Sequence, residues 1–211
     1  MNSKTALIIG ATGATGSALV SQLIKDDAYA EIHVFVRNKP NLEHPKLKVH
    51  VVDFNNTDVW KDKIKGDVLF SAMGTTLKTA GSKEAQYKID YTYQHEVAKA
   101  AGQNGVAKLM LVSSVGSKST SLFFYPKIKG QLEDAVAELS FKEVHVFQPP
   151  MLERGVFLRS NEKFGIKLLN FLNKFGVLKS QRPMPVHFLA TQMIKVTAQN
   201  NSQKVNKYSP K

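Results

Sequence analysis

The chain has no cysteine among its 211 residues, and this absence excludes several kinds of chemistry. Without thiols it can form no disulfide, no cysteine nucleophile and no thiolate metal site. It also lacks any apolar run close to the roughly 20 residues that a membrane-spanning helix needs. Gly and Thr interrupt the apolar stretch near the N-terminus, which argues against a signal peptide. We therefore expect a cytoplasmic protein without membrane association.

Acidic residues are scarce, since 17 Asp and Glu stand against 29 Lys and Arg, for a net charge of +12. This balance can indicate a nucleic acid, an anionic membrane or an anionic small molecule as partner. The lysines are spread along the chain, and the stacked aromatic signature of RNA-binding modules is missing. We expect solvated lysines, no nucleic-acid partner and a bias toward phosphate-bearing cofactors. The 6 histidines include no H-x-x-x-H pair, so we predict no metal site.

Short apolar runs alternate with helical segments along the first three quarters of the chain. The predicted strands are Ala6–Ile9, Glu31–Arg37, Leu47–Asp53, Asp67–Met73, Lys108–Ser113 and Glu143–Phe147. Helices are predicted between them, including one from Pro126 to about Leu139. This alternation predicts an α/β fold with a Rossmann-like, doubly wound parallel sheet and right-handed crossovers. The whole chain, residues 1–211, is expected to form a single domain.

The last quarter of the chain differs, because no further parallel strand is predicted after Met151. Residues 161–175 form an amphipathic helical pattern with lysines on the polar face. This segment would act as a lid over the carboxyl edge of the sheet, pack against a second subunit in a homodimer, or lie on a membrane surface. We assign residues 151–185 to a small, mostly helical substrate-side insertion. A closing helix at about 186–198 and a loose tail from Asn201 complete the prediction.

A glycine-rich turn follows the first predicted strand and opens the first helix. Its glycines recur at a spacing of three, at Gly10, Gly13 and Gly16. They allow a sharp turn, a close approach of a pyrophosphate and tight packing of the helix on the strand. The diphosphate would rest on the free N–H groups at the start of that helix. The pattern therefore predicts a dinucleotide site.

The residue at the end of the second strand meets the adenosine ribose in such a site. Here it is Arg37, whose guanidinium can pair with a 2′-phosphate, with Lys39 nearby. This choice favours NADP(H) over NAD(H), although a strand-end Arg can also be simply solvated. At the end of the third strand, Asp53 and Phe54 would lie beside the adenine, where Asp53 would accept from the amino group.

Four motifs in order make the chain resemble an atypical short-chain dehydrogenase/reductase. After the glycine turn come Met73-Gly74-Thr75-Thr76, the pair Ser113-Ser114 and Tyr125-Pro-Lys-Ile-Lys129-Gly130. The chain most resembles the NAD(P)H-binding branch with NmrA-like proteins and Tat-interacting-protein-like oxidoreductases, from about Lys4 to Gln199. It departs from common patterns at Asp90, where Asn is frequent, and at Gln148, where Arg is frequent.

The resemblance implies a set of cofactor and catalytic residues. Those expected at the diphosphate are Gly10, Thr12, Gly13, Ala14, Thr15 and Gly16. Those expected to run alongside it toward the nicotinamide are Met73, Gly74 and Thr75. The catalytic trio implied is Ser114, Tyr125 and Lys129, with Lys129 also reaching the nicotinamide ribose.

The residue types support the same chemistry, because reduction of a carbonyl by hydride needs a proton donor for the developing alkoxide. Tyr125 would donate, the Lys129 ammonium would favour its phenolate form, and a spacing of four places both on one helix face. Pro126 places Tyr125 at the helix boundary. Of the two serines, we choose Ser114 over Ser113 to bind the substrate oxygen, because the last residue of a strand more often faces the core.

These residues predict an NADPH-dependent oxidoreductase that transfers a hydride to a small carbonyl or related electrophilic substrate. The alternative is a non-catalytic, NADP(H)-sensing regulator that acts through a protein partner. A third possibility, an epimerase of nucleotide sugars, is disfavoured by the short segment after the sixth predicted strand.

Overall fold

Seven parallel strands form the central sheet in a computed structural model that describes residues 3–153 and 183–209. The strands are β1 Lys4–Ile9, β2 Tyr29–Val36, β3 Leu47–Val51, β4 Val68–Ser71, β5 Lys108–Val112, β6 Glu143–Phe147, β7 Leu152–Glu153, β8 Met184–Pro185 and β9 Val205–Tyr208. The sheet order is β3-β2-β1-β4-β5-β6-β9, while β7 and β8 pair separately. The predicted doubly wound parallel sheet is confirmed.

Helices cover both faces of this sheet. They are α1 Ala14–Leu23, α2 Leu77–Ala80, α3 Lys83–Tyr87, α4 Tyr93–Gln103, α5 Phe124–Ala137 and α6 Val186–Thr197. A π-helical turn, Lys88–Thr92, joins α3 to α4, and 3-10 turns occupy Phe54–Val59 and Lys61–Lys63. Among the described residues, no helix is both long and apolar enough to cross a bilayer.

Alternation along β1 explains the two-layered core. Ala6 and Ile8 pack with the buried residues of α1 and α6 on one face. Leu7 and Ile9 pack with those of α4 and α5 on the other. All four side chains are fully buried, as expected of a parallel sheet covered on both faces.

The order of the strands positions the site. From β1 the chain proceeds through α1 to β2 on one side, whereas β4 lies on the other side of β1. Neighbouring connections therefore diverge at the carboxyl ends of β1 and β4, and a crevice opens there. The glycine turn lies at the end of β1, facing this crevice.

The C-terminal part of the chain contains a parallel strand that was not predicted. The expectation of no parallel strand after Met151 and a loose tail from Asn201 is wrong, because β9 pairs in parallel with β6. The strand has only four residues, Val-Asn-Lys-Tyr, and lies at the edge of the sheet, so its pattern is too short and too polar to stand out in sequence. The predicted helix at 161–175 lies outside the described residues, while β7 and β8 pair at the two ends of the predicted insertion.

Candidate cofactor and active site

A cleft of about 270 Å³ opens at the carboxyl ends of β1, β2 and β4. It brings together four segments predicted to bind the cofactor: the glycine turn, the end of β2, Phe54 after β3 and the loop after β4. Its lining includes the predicted residues Gly10, Thr12, Gly13, Arg37, Phe54, Met73, Gly74 and Thr75. Ala14, Thr15 and Gly16 belong to the first turn of α1, directly after this lining.

Each glycine of the turn is required for a different geometric reason. Gly10 has φ +79°, and a Cβ there would lie 2.5 Å from the carbonyl carbon of Ala72 at the end of β4. A Cβ on Gly16 would collide with the backbone oxygen of Gly10, so this glycine lets α1 begin directly against the turn. The space at Gly13 is less restricted, since an added Cβ would lie 3.2 Å from the same oxygen. The turn therefore requires the absence of side chains.

The N-terminus of α1 is suited to an anion. The helix begins after Gly13 with no side-chain cap among the described residues and no acidic residue in its first turn. Its first N–H groups have no partner within the helix, and the helix dipole adds partial positive charge. Together with the bare glycine turn, these donors fit the diphosphate of a dinucleotide.

The end of β2 and the 3-10 turn after β3 frame the adenosine side of the cleft. Arg37 follows β2, is exposed, and has no ion-pair partner among the described residues. Phe54 is buried and contributes to the cleft wall. Asp53 lies outside the lining, and its carboxylate accepts from the backbone N–H of Asn55 at 2.9 Å. Hydrogen bonds from Asn55 and Asn56 keep the pKa of Asp53 below its usual range.

The loop after β4 lies over a buried carboxyl group. The backbone N–H of Thr75 donates to Asp90 Oδ2 at 3.2 Å. A Cβ added to Gly74 would lie 3.2 Å from Asp90 Oδ1, so the backbone passes close above the carboxyl. Asp90 belongs to the π-helical turn and is fully buried. Such turns occur often at functional sites.

The ammonium of Lys129 is the charged partner of Asp90. Lys129 Nζ lies 3.5 Å from Asp90 Oδ1, and the same nitrogen is 3.5 Å from the carbonyl oxygen of Val112. Burial raises the pKa of Asp90, while Lys129 and the Thr75 N–H oppose that shift. Lys129 is only 2% exposed and does not line the cleft. Its ammonium is held behind the Gly74–Thr75 backbone.

The two serines after β5 have different environments. Ser113 is buried and its hydroxyl donates to Glu133 Oε1. Glu133 is also buried, accepts from Gln148 Nε2 at 2.9 Å, and pairs with Lys207 Nζ at 2.8 Å. Ser114 is half-buried, and its backbone oxygen accepts from Ser117. The hydroxyl of Ser113 is thus engaged in a buried network, and the choice of Ser114 stays a prediction.

Tyr125 lies in the first turn of α5, with 36% of its surface exposed. Neither Tyr125 nor Ser114 belongs to the lining of the cleft. Phe123, which precedes α5, is 76% exposed and Leu122 is 99% exposed, so Tyr125 stands at an apolar surface. In the ranges 3–153 and 183–209, no group of three or more His, Asp or Glu side chains is arranged to hold a metal ion.

Two functional candidates were missed or undervalued in the sequence. Glu133 lies four residues after Lys129, which places it on the same helix face, and this spacing was an available signal. Asp90 stood out as a departure from the common Asn. Its pairing with Lys129 joins positions 39 residues apart and has no local signal.

The fold and the cleft define a Rossmann-type dinucleotide-binding protein. A family model described as NAD(P)H-binding matches residues 10–144, and the chain belongs to this family. The predicted resemblance is confirmed at this level.

Solved structures share the fold at low identity. WbmG of Bordetella bronchiseptica, in complex with NAD, has a TM-score of 0.72 at 16% identity, covering 99% of this chain and 73% of that chain. The dTDP-4-dehydrorhamnose reductase of Bacillus anthracis str. Ames, in complex with NADP, has a TM-score of 0.70 at 16% identity, covering 99% and 75%.

A relative in Candida albicans is named Protein FMP52, mitochondrial. It is 37% identical over 150 residues, which cover 69% of this chain and 66% of that protein. The match thus spans just under two thirds of the relative's length. Further relatives carry the same mitochondrial designation. The expectation of a cytoplasmic protein is contradicted by these names. Amino-acid composition alone could not predict the subcellular compartment.

Proposed function

We propose that this protein is an NADPH-dependent oxidoreductase that reduces a small carbonyl or related electrophilic substrate. The observation that carries the proposal is the alignment of three features along one crevice. The glycine turn and Arg37 frame one end, the Met73–Thr75 loop follows, and the Asp90–Lys129 pair lies directly behind that loop. Nucleotide binding alone does not require a charged lysine beneath the cofactor loop, so its presence there favours an enzyme.

Arg37 supports the choice of NADP(H). Its guanidinium follows β2, faces the cleft and has no competing carboxylate among the described residues. A guanidinium can hold a 2′-phosphate with two charge-assisted hydrogen bonds. Asp53, engaged by Asn55 and Asn56, is the weaker candidate for contact with the adenine. NADPH, when bound, supplies the hydride.

The residues of the chain would handle the substrate oxygen. In the proposed reaction the carbonyl carbon gains a hydride, and the C=O bond becomes a C–O single bond. Tyr125 would give its proton to the resulting alkoxide, which yields an alcohol, and would regain a proton from solvent. Ser114 would donate a hydrogen bond that orients the carbonyl. Lys129 would favour the phenolate form of Tyr125 by its positive charge.

Fluorescence titration with NADPH and NADH tests the cofactor assignment. The wild type is expected to bind NADPH more tightly. Arg37→Ala should weaken NADPH about tenfold or more and leave NADH little changed, because a lost charged hydrogen bond costs about 1.5–3 kcal/mol. Lys142→Ala is the control, since Lys142 is also exposed but precedes β6, at the opposite edge of the sheet from the cleft. Equal affinity of the wild type for both cofactors would overturn the assignment.

Turnover of NADPH with a panel of small aldehydes and ketones tests the proposed chemistry. Tyr125→Phe should reduce turnover about 10²- to 10⁴-fold, the usual contribution of a general acid, with NADPH affinity within about twofold. Tyr91→Phe, which removes the hydroxyl of a half-buried tyrosine stacked on Tyr87, is the control. A fully active Tyr125→Phe enzyme contradicts the assigned mechanism.

A second candidate is an NADP(H)-sensing regulator. The position of Lys129 favours it, because the ammonium points to Asp90 and lies outside the cleft lining. A sensor needs a cofactor-dependent loop but no proton donor. Tight NADPH binding together with persistent failure to oxidise NADPH across the panel would support the sensor over the enzyme.

A further inference from the structure

Asp90 has an unusual combination of burial and bonding. It is fully buried, and its Oδ1 is the one buried side-chain N or O atom without a hydrogen-bond partner among the described residues. The other oxygen accepts from the backbone N–H of Thr75 at 3.2 Å, and the side chain of Gln86 also hydrogen-bonds the carboxyl group. The nearest cation is the Lys129 ammonium, 3.5 Å from Oδ1. One oxygen of this buried carboxyl therefore lacks a hydrogen-bond donor, and the charge of Lys129 is the largest contribution that opposes the cost of burial.

The pair lies where a charge would act on the cofactor loop. Thr75 and Gly74 line the cleft on one side of the backbone, and Asp90 lies on the other side. Gln94 donates to the backbone oxygen of Asp90 at 2.8 Å and accepts from Ser71 at 2.8 Å, which ties the π-helical turn to the end of β4. With both members at most 2% exposed, solvent screens their fields weakly.

We propose that the Asp90–Lys129 pair sets the relative affinity of the site for the oxidised and reduced forms of its cofactor. The oxidised nicotinamide ring carries a positive charge and the reduced ring is neutral. A carboxylate behind the loop therefore favours the oxidised form, and an ammonium there disfavours it. The paired charges balance each other, and the loss of either one should move the preference in opposite directions. This inference rests on the proposed cofactor site, and it makes Asp90 a positioning and charge-balancing residue.

A merely structural role for Asp90 predicts something different. Loss of the carboxylate would then disturb the Gly74–Thr75 loop, and both forms of the cofactor would bind more weakly by a similar factor. The ratio of the two dissociation constants separates these cases, because it cancels an equal loss of affinity. It also needs no substrate and no turnover.

The experiment measures Kd for NADP⁺ and for NADPH by calorimetric and fluorescence titration of the full chain. The variants are Asp90→Asn, Lys129→Gln and the double variant. Asp90→Asn should raise the ratio Kd(NADP⁺)/Kd(NADPH) by about 5- to 20-fold, since unbalanced charges interact by such amounts at an effective dielectric near 20. Lys129→Gln should lower the ratio by a similar factor. The double variant should return to within about twofold of the wild type.

Asp67→Asn is the matched control. Asp67 also accepts a backbone N–H, from Thr5 at 2.7 Å, but it precedes β4 at the opposite edge of the sheet. The ratio Kd(NADP⁺)/Kd(NADPH) of Asp67→Asn should equal that of the wild type. If Asp90→Asn fails to fold, Lys129→Gln and the double variant still test the opposite shift and its reversal.

Three outcomes decide the matter. Opposite shifts in the single variants, cancelled in the double variant, support the inference. Unchanged ratios, or equal losses for both forms, overturn it and leave the proposed cofactor site standing. A wild type that binds neither NADP⁺ nor NADPH, nor the unphosphorylated pair NAD⁺ and NADH, overturns the proposed function and the inference with it.

Discussion

The cofactor cleft and the neighbouring region around Ser113 and α5 are built in different ways. The cleft is formed mainly by backbone, with glycines that leave no room for side chains and N–H groups at the start of α1. The second region is formed by buried charged side chains, with Lys129 on Asp90 and Glu133 on Ser113 and Lys207. A backbone-built site tolerates few substitutions but needs no partner residues. A site built from buried charges depends on every member of its network.

The largest expected effect comes from adding one methyl group at Gly10, in the cofactor cleft that is built mainly from backbone. It should lower both stability and NADPH affinity. Gly10→Ala combines a left-handed φ of +79° with a Cβ placed 2.5 Å from the Ala72 backbone. Strain and overpacking together should cost about 3 kcal/mol or more and abolish NADPH binding. Urea unfolding and NADPH titration measure both effects.

Gly81→Ala is the control for backbone strain alone. Gly81 has φ +89°, yet a Cβ there meets no atom within 4 Å. Its cost should be about 1 kcal/mol. Equal costs for the two variants would show that the close approach of the glycine turn to β4 contributes nothing.

Gly130→Ala should disturb the region around Ser113 and α5 without disturbing the cofactor cleft, and its effect should be smaller than that of Gly10→Ala. Its Cβ would collide with the backbone of Lys118 and Ser119, so the segment after β5 must move away from α5. We expect a stability loss of about 1–3 kcal/mol and reduced NADPH turnover, with NADPH affinity within about twofold. Gly116→Ala, in the same segment, has φ +76° and free space around it, so it shows the effect of backbone strain without a collision. Loss of NADPH binding in Gly130→Ala would mean that the two halves are not separable.

The smallest expected effect is the acid sensitivity contributed by His145 on β6. Burial lowers the pKa of His145, and hydrogen bonding to Glu143 partly offsets this. The unfolded chain therefore takes up a proton below about pH 6.5 that the folded chain resists, so stability falls as the pH falls. Urea midpoints at about pH 7.5 and about pH 5.5 should differ less in His145→Gln than in the wild type.

His50 remains in both proteins and provides an internal reference. Burial also lowers its pKa, so it contributes its own loss of stability in acid. An identical pH dependence in wild type and His145→Gln would assign none of the effect to His145.

The backbone-built half was the more predictable from sequence. Gly10, Gly13 and Gly16 act through spacing along the chain, so their pattern is local. Arg37 lines the cleft, and its position was readable from sequence because it follows a strand whose pattern is clear; its contact with a cofactor stays a prediction. Asp53 followed the same logic, but its carboxylate caps the next turn through Asn55, which strand position alone does not reveal.

The charge-built half was predictable only in part. The spacing of Tyr125 and Lys129 predicted one helix face, but α5 begins at Phe124, two residues before the predicted start at Pro126, so Tyr125 lies within its first turn. The partner of Lys129 comes from a different helix, so no spacing encodes it. The same reason explains β9, whose Tyr208 bonds to His145 at 3.0 Å across the sheet. Contacts between distant segments are decided by packing.

The π-helical turn Lys88–Thr92 has a consequence for how one helix serves two purposes. Helical backbone runs through Tyr87, Lys88, Thr92 and Tyr93, so α3, this turn and α4 form one continuous rod. A wider turn shifts the angular phase of every residue beyond it. The turn itself carries Asp90, whose carboxyl lies beneath the cofactor loop, and the phase after the turn keeps Val97 and Ala101 in the core. Deleting one residue here would rotate one end relative to the other by about 100°, so the site or the core would lose its register.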